Sequence, residues 1–143
     1  MSGLVLIVRL NGQRVAIPAD AVSAVVELDE IAPVPRAAPH VKGLAALRSR
    51  VLTVVDTYRA IGLTPPGDAG REAVIVELDG HHYALTVDSV DDVVEATGDA
   101  TATRTPFTAG WARIAAGTVE AGGDMLLLVD VAALIAGPQA AAA

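Results

Sequence analysis

Two stretches of this chain align without a gap. VRLNGQRVAIPADAVSAVVE, residues 8 to 27, lies over VELDGHHYALTVDSVDDVVE, residues 76 to 95. They agree at Val8/Val76, Leu10/Leu78, Gly12/Gly80, Ala16/Ala84, Asp20/Asp88, Val22/Val90, Val25/Val93, Val26/Val94 and Glu27/Glu95. Self-similarity at a fixed offset constrains a fold more than any single motif does. Two copies are too few for a solenoid, so the repeat points to a pseudo-symmetric pair of subdomains. The halves match again at RVLTVVDTYRAIG, residues 50 to 62, over DMLLLVDVAALIA, residues 124 to 136. The offset has grown from 68 to 74, which places a small insertion around Gly98 to Ala109.

Each copy opens with a strand–turn–strand pattern. LVLIVRL and AVIVEL are β-rich runs, and each meets Asn11-Gly12 or Asp79-Gly80, the preferred residues of a type I′ hairpin turn. RVAIPA and HHYALTV are the returning strands. Asp20 and Asp88 follow, where a carboxylate can cap one helical turn. VVELDEI then reads as a new strand, broken afterwards by Pro33, Pro35 and Pro39. HVKGLAAL and RVLTVVD form a further strand pair with Arg48-Ser49-Arg50 at the turn. Asp56 and Asp130 end apolar strands and are placed to cap short helices. LTPPGDAGRE, residues 63 to 72, is a linker by its Pro and Gly content.

The expected fold is mainly all-β: two small five-stranded barrels with short helices, each too small to bury much alone and therefore sharing apolar surface. Residues 1–138 form one domain of two intertwined subdomains, and 139–143 are an expected frayed tail. Composition agrees. The chain is 52% hydrophobic but only 3% aromatic, so Val, Leu, Ile and Ala must fill the core, and the β-branched share favours strands.

The formal net charge of −7 comes without a basic cluster, which argues against nucleic-acid binding. The absence of Cys removes disulfides, thiol catalysis and thiolate metal sites. The first apolar run is too short for a membrane span, so the cytosol is the expected compartment, without membrane insertion.

Catalytic patterns are sparse. No Gly-x-Ser-x-Gly elbow is present, and Gly122-Gly123 lacks the Lys of a phosphate loop. Adjacent strand residues His81 and His82 point to opposite faces, leaving too few ligands for a zinc site. His40, His81 and His82 read as turn or surface residues. Asp88, Asp91, Asp92 and Glu95 lack calcium-loop spacing and read as a solvated face of a helical turn. No enzyme activity, metal or cofactor is expected. What remains is surface recognition, for which a groove between two barrels is a natural place.

The ordered motifs resemble the CheW-like domain, the adaptor of bacterial chemotaxis arrays. The features are Ala16-Ile17-Pro18, Val25-Val26-Glu27 where the family has Val-x-Glu, and VKGLAALRSRVLTVVD, residues 41 to 56, against (I/V)KG-x-x-NLRG-x-(I/V)-x-P-(I/V)-(I/V)-D. LDGHHYALTVDSVDDVVE, Thr105-Pro106-Phe107 and MLLLVDVAALI continue it through the second half. This chain departs at Ala46, Ser49 and Thr53, where the family has Asn, Gly and Pro. The aromatic of the returning strand is Val15 in the first copy and is kept as Tyr83 in the second.

The resemblance implies SH3-like barrels around a shared core and a noncatalytic adaptor. It would link chemoreceptor cytoplasmic tips to the regulatory domain of a CheA-type histidine kinase, at arrays on the inner membrane face, with self-association in rings. Matched to the family, Val25, Glu27, Lys42, Arg48, Val90 and Val93 are expected to bind receptor, and Arg104 and Phe107 the kinase. Each has a plainer reading: the valines as core, Lys42 as shield of an edge strand, Phe107 as anchor of its own loop. Trp111 fits either core or interface. The alternative function is a CheW-like interaction module in a non-motility two-component pathway.

Overall fold

Val5–Val8, Ala73–Val76 and Leu126–Val129 are buried without interruption. Strands that alternate buried and exposed residues cover one core; strands buried throughout must separate two. That pattern governs the architecture of the computed structural model, which describes residues 3–10, 12–28, 30–63, 72–101 and 109–137, without the side chains of 97–101, 109, 110 and 112.

The strands in chain order are β1 (Gly3–Leu10), β2 (Gln13–Pro18), β3 (Val22–Glu27), β4 (Val41–Leu47), β5 (Arg50–Val55), β6 (Glu72–Leu78), β7 (His81–Thr86), β8 (Ser89–Thr101), β9 (Ala115–Ala121) and β10 (Asp124–Val129). Short helices are α1 (Thr57–Ala60), α2 (Ala109–Ile114) and α3 (Val131–Ala136), with a 3-10 turn at Ala19–Ala21. Five strands close a barrel in the order β1-β2-β10-β9-β8, and five form a sheet in the order β3-β6-β7-β5-β4. The halves of the sequence are therefore not the halves of the fold. Each N-terminal hairpin, β1-β2 or β6-β7, sits among three strands of the opposite half.

Three cores result. Val5, Ile7, Ala16, Val119, Leu126 and Leu128 fill the barrel. Leu28, Ala45, Leu52, Val54, Ile75 and Ala84 fill the second sheet. Between them lies the largest, built by the opposite faces of the same strands: Leu6, Val8, Val15, Ile17, Val55, Val74, Val76, Leu85 and Leu127. Trp111, Ile114 and Leu134 from α2 and α3 join this shared core, so Trp111 is a core residue.

The two sheets differ in closure, and the sequence shows why. β8 runs thirteen residues, and its far end pairs with β9 to close the barrel. Its repeat partner β3 has only six, because the prolines at 33, 35 and 39 cannot donate to a ladder. It starts at Val22 and ends at Glu27, short of the expected VVELDEI. In place of a closing strand, Ala32 makes one isolated bridge to Leu44 of β4. Gly43 is buried at this point, and a Cβ there would overlap the Ala32 carbonyl. The second expected barrel is thus a five-stranded sheet with β3 and β4 at its margins.

Turn and cap chemistry follow the sequence with two exceptions. Asp79 and Gly80 have φ of 52° and 80°, as a type I′ turn requires, and Gly12 has φ of 75°. Asp56 accepts from the Arg59 N–H at 3.3 Å and Asp130 from the Ala133 N–H at 3.1 Å, capping α1 and α3. Asp20 is different: it lies inside the 3-10 turn, which has no side-chain cap. Asp88 caps nothing either. Its carboxylate accepts from the Gly12 N–H at 2.8 Å and the Tyr58 hydroxyl at 2.6 Å, tying the first hairpin turn to α1.

Candidate functional site: the junction of β3 and β8

The shared core is covered by helices on one side and reaches solvent on another. Val25 pairs with Val74, and Val93 pairs with Leu6. Side chains opposite each other in a ladder share a face, so both valines point toward the shared core. Yet they stand 45% and 50% exposed, while their neighbours Val22 and Val90 pack against that core. Identical residues of the repeat thus form the uncovered margin of the shared core.

Two anchors fix how β3 and β8 run. Glu27, at the end of β3, pairs with Glu72. The Glu72 carboxylate in turn accepts the Val90 N–H at the start of β8, at 3.1 Å. At the other end, Leu4 of β1 pairs with Glu95, while Pro18 pairs with Val5 and leads through the 3-10 turn into β3. The strands therefore run antiparallel along the junction of the sheets, between Glu72 and Leu4. Val25 and Glu27 thus stand on β3 and Val90 and Val93 on β8, with Glu72 linking the end of one strand to the start of the other.

Lys42 and Arg48 lie elsewhere, on β4 and on the β4–β5 turn, both exposed. β4 is a margin of its sheet, and Lys42 stands exposed on it. Arg48 and Ser49 have φ of 51° and 68°, so the turn keeps type I′ geometry although the family glycine is Ser49. Beside this turn a shallow groove of about 910 Å³ follows the seam between β3 and β4. Glu27 and Glu30 rim it, and Leu44, Ala46 and Val51 line it, Val51 at 63% exposure. Arg104 and Phe107 lie outside the described residues.

Several of the remaining polar residues have structural partners. His40 is buried rather than superficial: its Nε2 is 2.7 Å from the Ile135 carbonyl, and its ring rests on Gly137. His82 sits between Arg50 and Glu77. The acidic run lies on a strand, not a helical turn. Asp91 pairs with Arg14 at 3.3 Å, and Asp92 accepts the Val93 N–H at 2.8 Å. Among the described residues, no cluster of three or more His, Asp or Glu side chains could hold a metal. No helix among them is long and apolar enough to cross a membrane.

Three residues of this architecture carried no motif in the sequence. Leu4 reads as the first residue of an apolar strand, and Glu72 as the end of a linker. Arg113 reads as one charge in an Ala-rich helix. It donates to the carbonyls of Ala133 and Ala60, and burial lowers its pKa from the ordinary value.

Two five-stranded sheets of repeated topology are thus joined over a common core, with valines exposed at its margin. The chain belongs to the CheW-like domain family, whose model matches residues 4–139. That family comprises noncatalytic scaffolds of chemotaxis signalling, and this chain is such a scaffold. No curated protein matches it. Its fold is similar to that of the scaffolding protein TtCheW from Thermoanaerobacter tengcongensis, with a TM-score of 0.77 and 21% identity over 90% of this chain and 89% of that one.

Proposed function

We propose that the protein couples the cytoplasmic helical tips of chemoreceptors to the regulatory domain of a CheA-type histidine kinase. The observation that carries this reading is the exposed pair Val25 and Val93, which extends the shared core to solvent along β3 and β8. An apolar furrow between two rigid sheets suits the apolar stripe of a helix. Glu27 flanks that furrow, and Val90 supports it from the core side. Lys42 and Arg48, on a different part of the surface, serve contacts to neighbouring members of the array, including further copies in a ring. Arg104 and Phe107 supply the kinase contact, where an exposed aromatic would dominate binding.

The mechanism is mass action. Holding a receptor tip and a kinase domain on one scaffold raises their effective concentration, and unequal affinity for two kinase states biases the kinase between them. Such a scaffold works in the cytoplasm and is drawn to receptor arrays at the inner membrane face.

Calorimetry with the purified protein tests both arms, using the regulatory domain of a CheA-type kinase and a receptor-tip fragment from the same genome. Saturable binding of both is expected, with Phe107→Ala weakening the kinase arm alone. Binding of a kinase domain from a non-motility pathway, with no binding of receptor tips, would replace this reading by the alternative module.

A further inference from the structure

The parallel pairings β2–β10 and β5–β7 are repeat equivalents, Leu127 opposite Val15 matching Thr53 opposite Tyr83. In each, a side chain crosses the junction just ahead of the paired residues. Arg14 of β2 donates to Asp124 of β10 at 2.9 Å, and Arg50 of β5 reaches His82 of β7. Positions 14 and 82 are offset by 68 residues, and 50 and 124 by 74, so the two links occupy the same place in the fold. Alternate residues of a strand share a face. Arg14 and Asp124 therefore lie beyond Ala16 and Leu126 at one end of the barrel core, and His82 and Arg50 beyond Ala84 and Leu52 at one end of the second core. The chemistry of the two links differs. A guanidinium and a carboxylate keep their opposite charges over the range in which imidazole titrates, so only the second link can respond to a proton there.

One nitrogen of His82 has two partners competing for it. Nη1 of Arg50 meets its Nε2 and lies 3.4 Å from Nδ1, while Oε2 of Glu77, its ladder partner on β6, stands 3.2 Å from the same Nε2. An imidazole nitrogen either accepts through its lone pair or donates its N–H, so it cannot serve both. We propose that His82 is a proton-driven switch of the β5–β7 junction: neutral, its Nε2 accepts from Arg50; protonated, the same nitrogen donates to Glu77 and the ring releases Arg50. Repulsion between the two cations and attraction to Glu77 act in the same direction, so protonation favours release. The other charged groups around this end of β7 are Arg48 on the β4–β5 turn, Asp79 on the β6–β7 turn and His81 on the opposite face of β7. Asp20 stands one strand further out, in the turn before β3, which pairs with β6. Arg50 is the first residue after the Arg48-Ser49 turn, so losing its link to β7 loosens the turn that presents Arg48. The switch goes beyond the coupling reading and does not depend on it, since it rests on this geometry whichever partner Arg48 meets.

The test follows the full, isotope-labelled chain by NMR between about pH 8 and pH 5, where imidazole changes charge. At the alkaline end the His82 ring should carry its hydrogen on Nδ1 with Nε2 bare, and at the acid end both nitrogens should be protonated. The amides of Arg48, Ser49 and Arg50 should shift along the titration curve of His82, which is read separately from those of His40 and His81. The amides of the equivalent hairpin at Gly122, Gly123 and Asp124 should not follow it. In His82→Gln the response of the β4–β5 turn should vanish. Arg50→Gln gives a second reading: the ring still titrates, and the turn no longer follows it. A ring that already carries Nε2–H at the alkaline end would overturn the proposal. So would turn amides that ignore the His82 curve, or a response that survives unchanged in either variant.

Discussion

Nη1 of Arg113 lies 2.6 Å from the carbonyl oxygen of Ala133, while Nη2 of the same guanidinium donates to the carbonyl of Ala60. Ala60 ends α1 and Ala133 lies in α3, the two helices that the repeat relates to each other. The Ala133 carbonyl also accepts the Gly137 N–H at 3.2 Å, and the planar guanidinium reaches its second lone pair and the carbonyl at the end of α1 at once. One side chain from α2 therefore ties α1 to α3 beside the shared core.

Arg113→Ala removes two charge-assisted bonds and should cost about 2–3 kcal/mol. Arg113→Lys keeps the charge but not the fork and should fall between the two. Urea unfolding measures this: the midpoint should drop with an unchanged slope, since the surface exposed on unfolding stays the same. An Arg113→Ala midpoint equal to that of the parent would show that water serves those carbonyls equally well.

Ser49→Gly should stabilise the protein. Ser49 holds a left-handed φ of 68° that costs a side-chain-bearing residue about 1–2 kcal/mol and glycine almost nothing. Glycine's greater freedom in the unfolded chain offsets part of this, leaving a net gain of about 0.5–1 kcal/mol. The reverse change at the repeat-related hairpin, Gly123→Ala at φ of 84°, should destabilise. Thermal melts of the two variants should therefore shift in opposite directions.

The sequence revealed the parts of this fold that are set locally. Asn-Gly and Asp-Gly specify hairpins within four residues, and Asp56 and Asp130 reach their N–H donors three residues on, so both were legible. Non-local pairing was not. Nothing near β1-β2 states that its neighbours are β8 and β10, because the same apolar strands would satisfy a barrel built from one half alone. Closure of only one sheet was half legible, in prolines whose consequence appears only when β3 is set beside its longer copy β8. Val25 and Val93 were found through the repeat and the family motif, whereas Leu4 and Glu72 emerged only from the ladder register.

Asp20 and Asp88 occupy one repeat position and do different work. Asp88 holds the Gly12 N–H and the Tyr58 hydroxyl at 2.8 and 2.6 Å, linking the first hairpin to α1. Asp88→Ala should cost about 1–3 kcal/mol, the usual range for hydrogen bonds to a charged acceptor. Asp20 is exposed within a 3-10 turn that lacks a side-chain cap, so Asp20→Ala should stay within about 0.5 kcal/mol of the parent. Tyr58→Phe should reproduce only part of the Asp88→Ala loss, because the Gly12 bond survives. Equal effects of the two Asp substitutions would mean that the clamp contributes nothing beyond a surface charge.

Val25 and Val93 separate binding from folding more cleanly than any other pair. Both face the shared core from its margin but remain about half exposed, whereas Val74, the ladder partner of Val25, is fully buried. Val25→Asp or Val93→Asp leaves the new carboxylate free to turn to water, so stability should change by no more than about 1 kcal/mol. Val74→Asp would bury an unpaired charge and should prevent folding. If this margin receives a receptor helix, each marginal substitution should lower receptor-tip affinity by at least about tenfold, a loss of about 1.4 kcal/mol. Kinase binding, assigned to the segment around Phe107, should remain unchanged. Calorimetry against both partners reads the two arms in one protein preparation. A loss of both together would place the kinase contact on the same margin, whereas retention of both would move the receptor contact away from β3 and β8, with the seam beside Leu44 and Val51 as the next apolar surface to test.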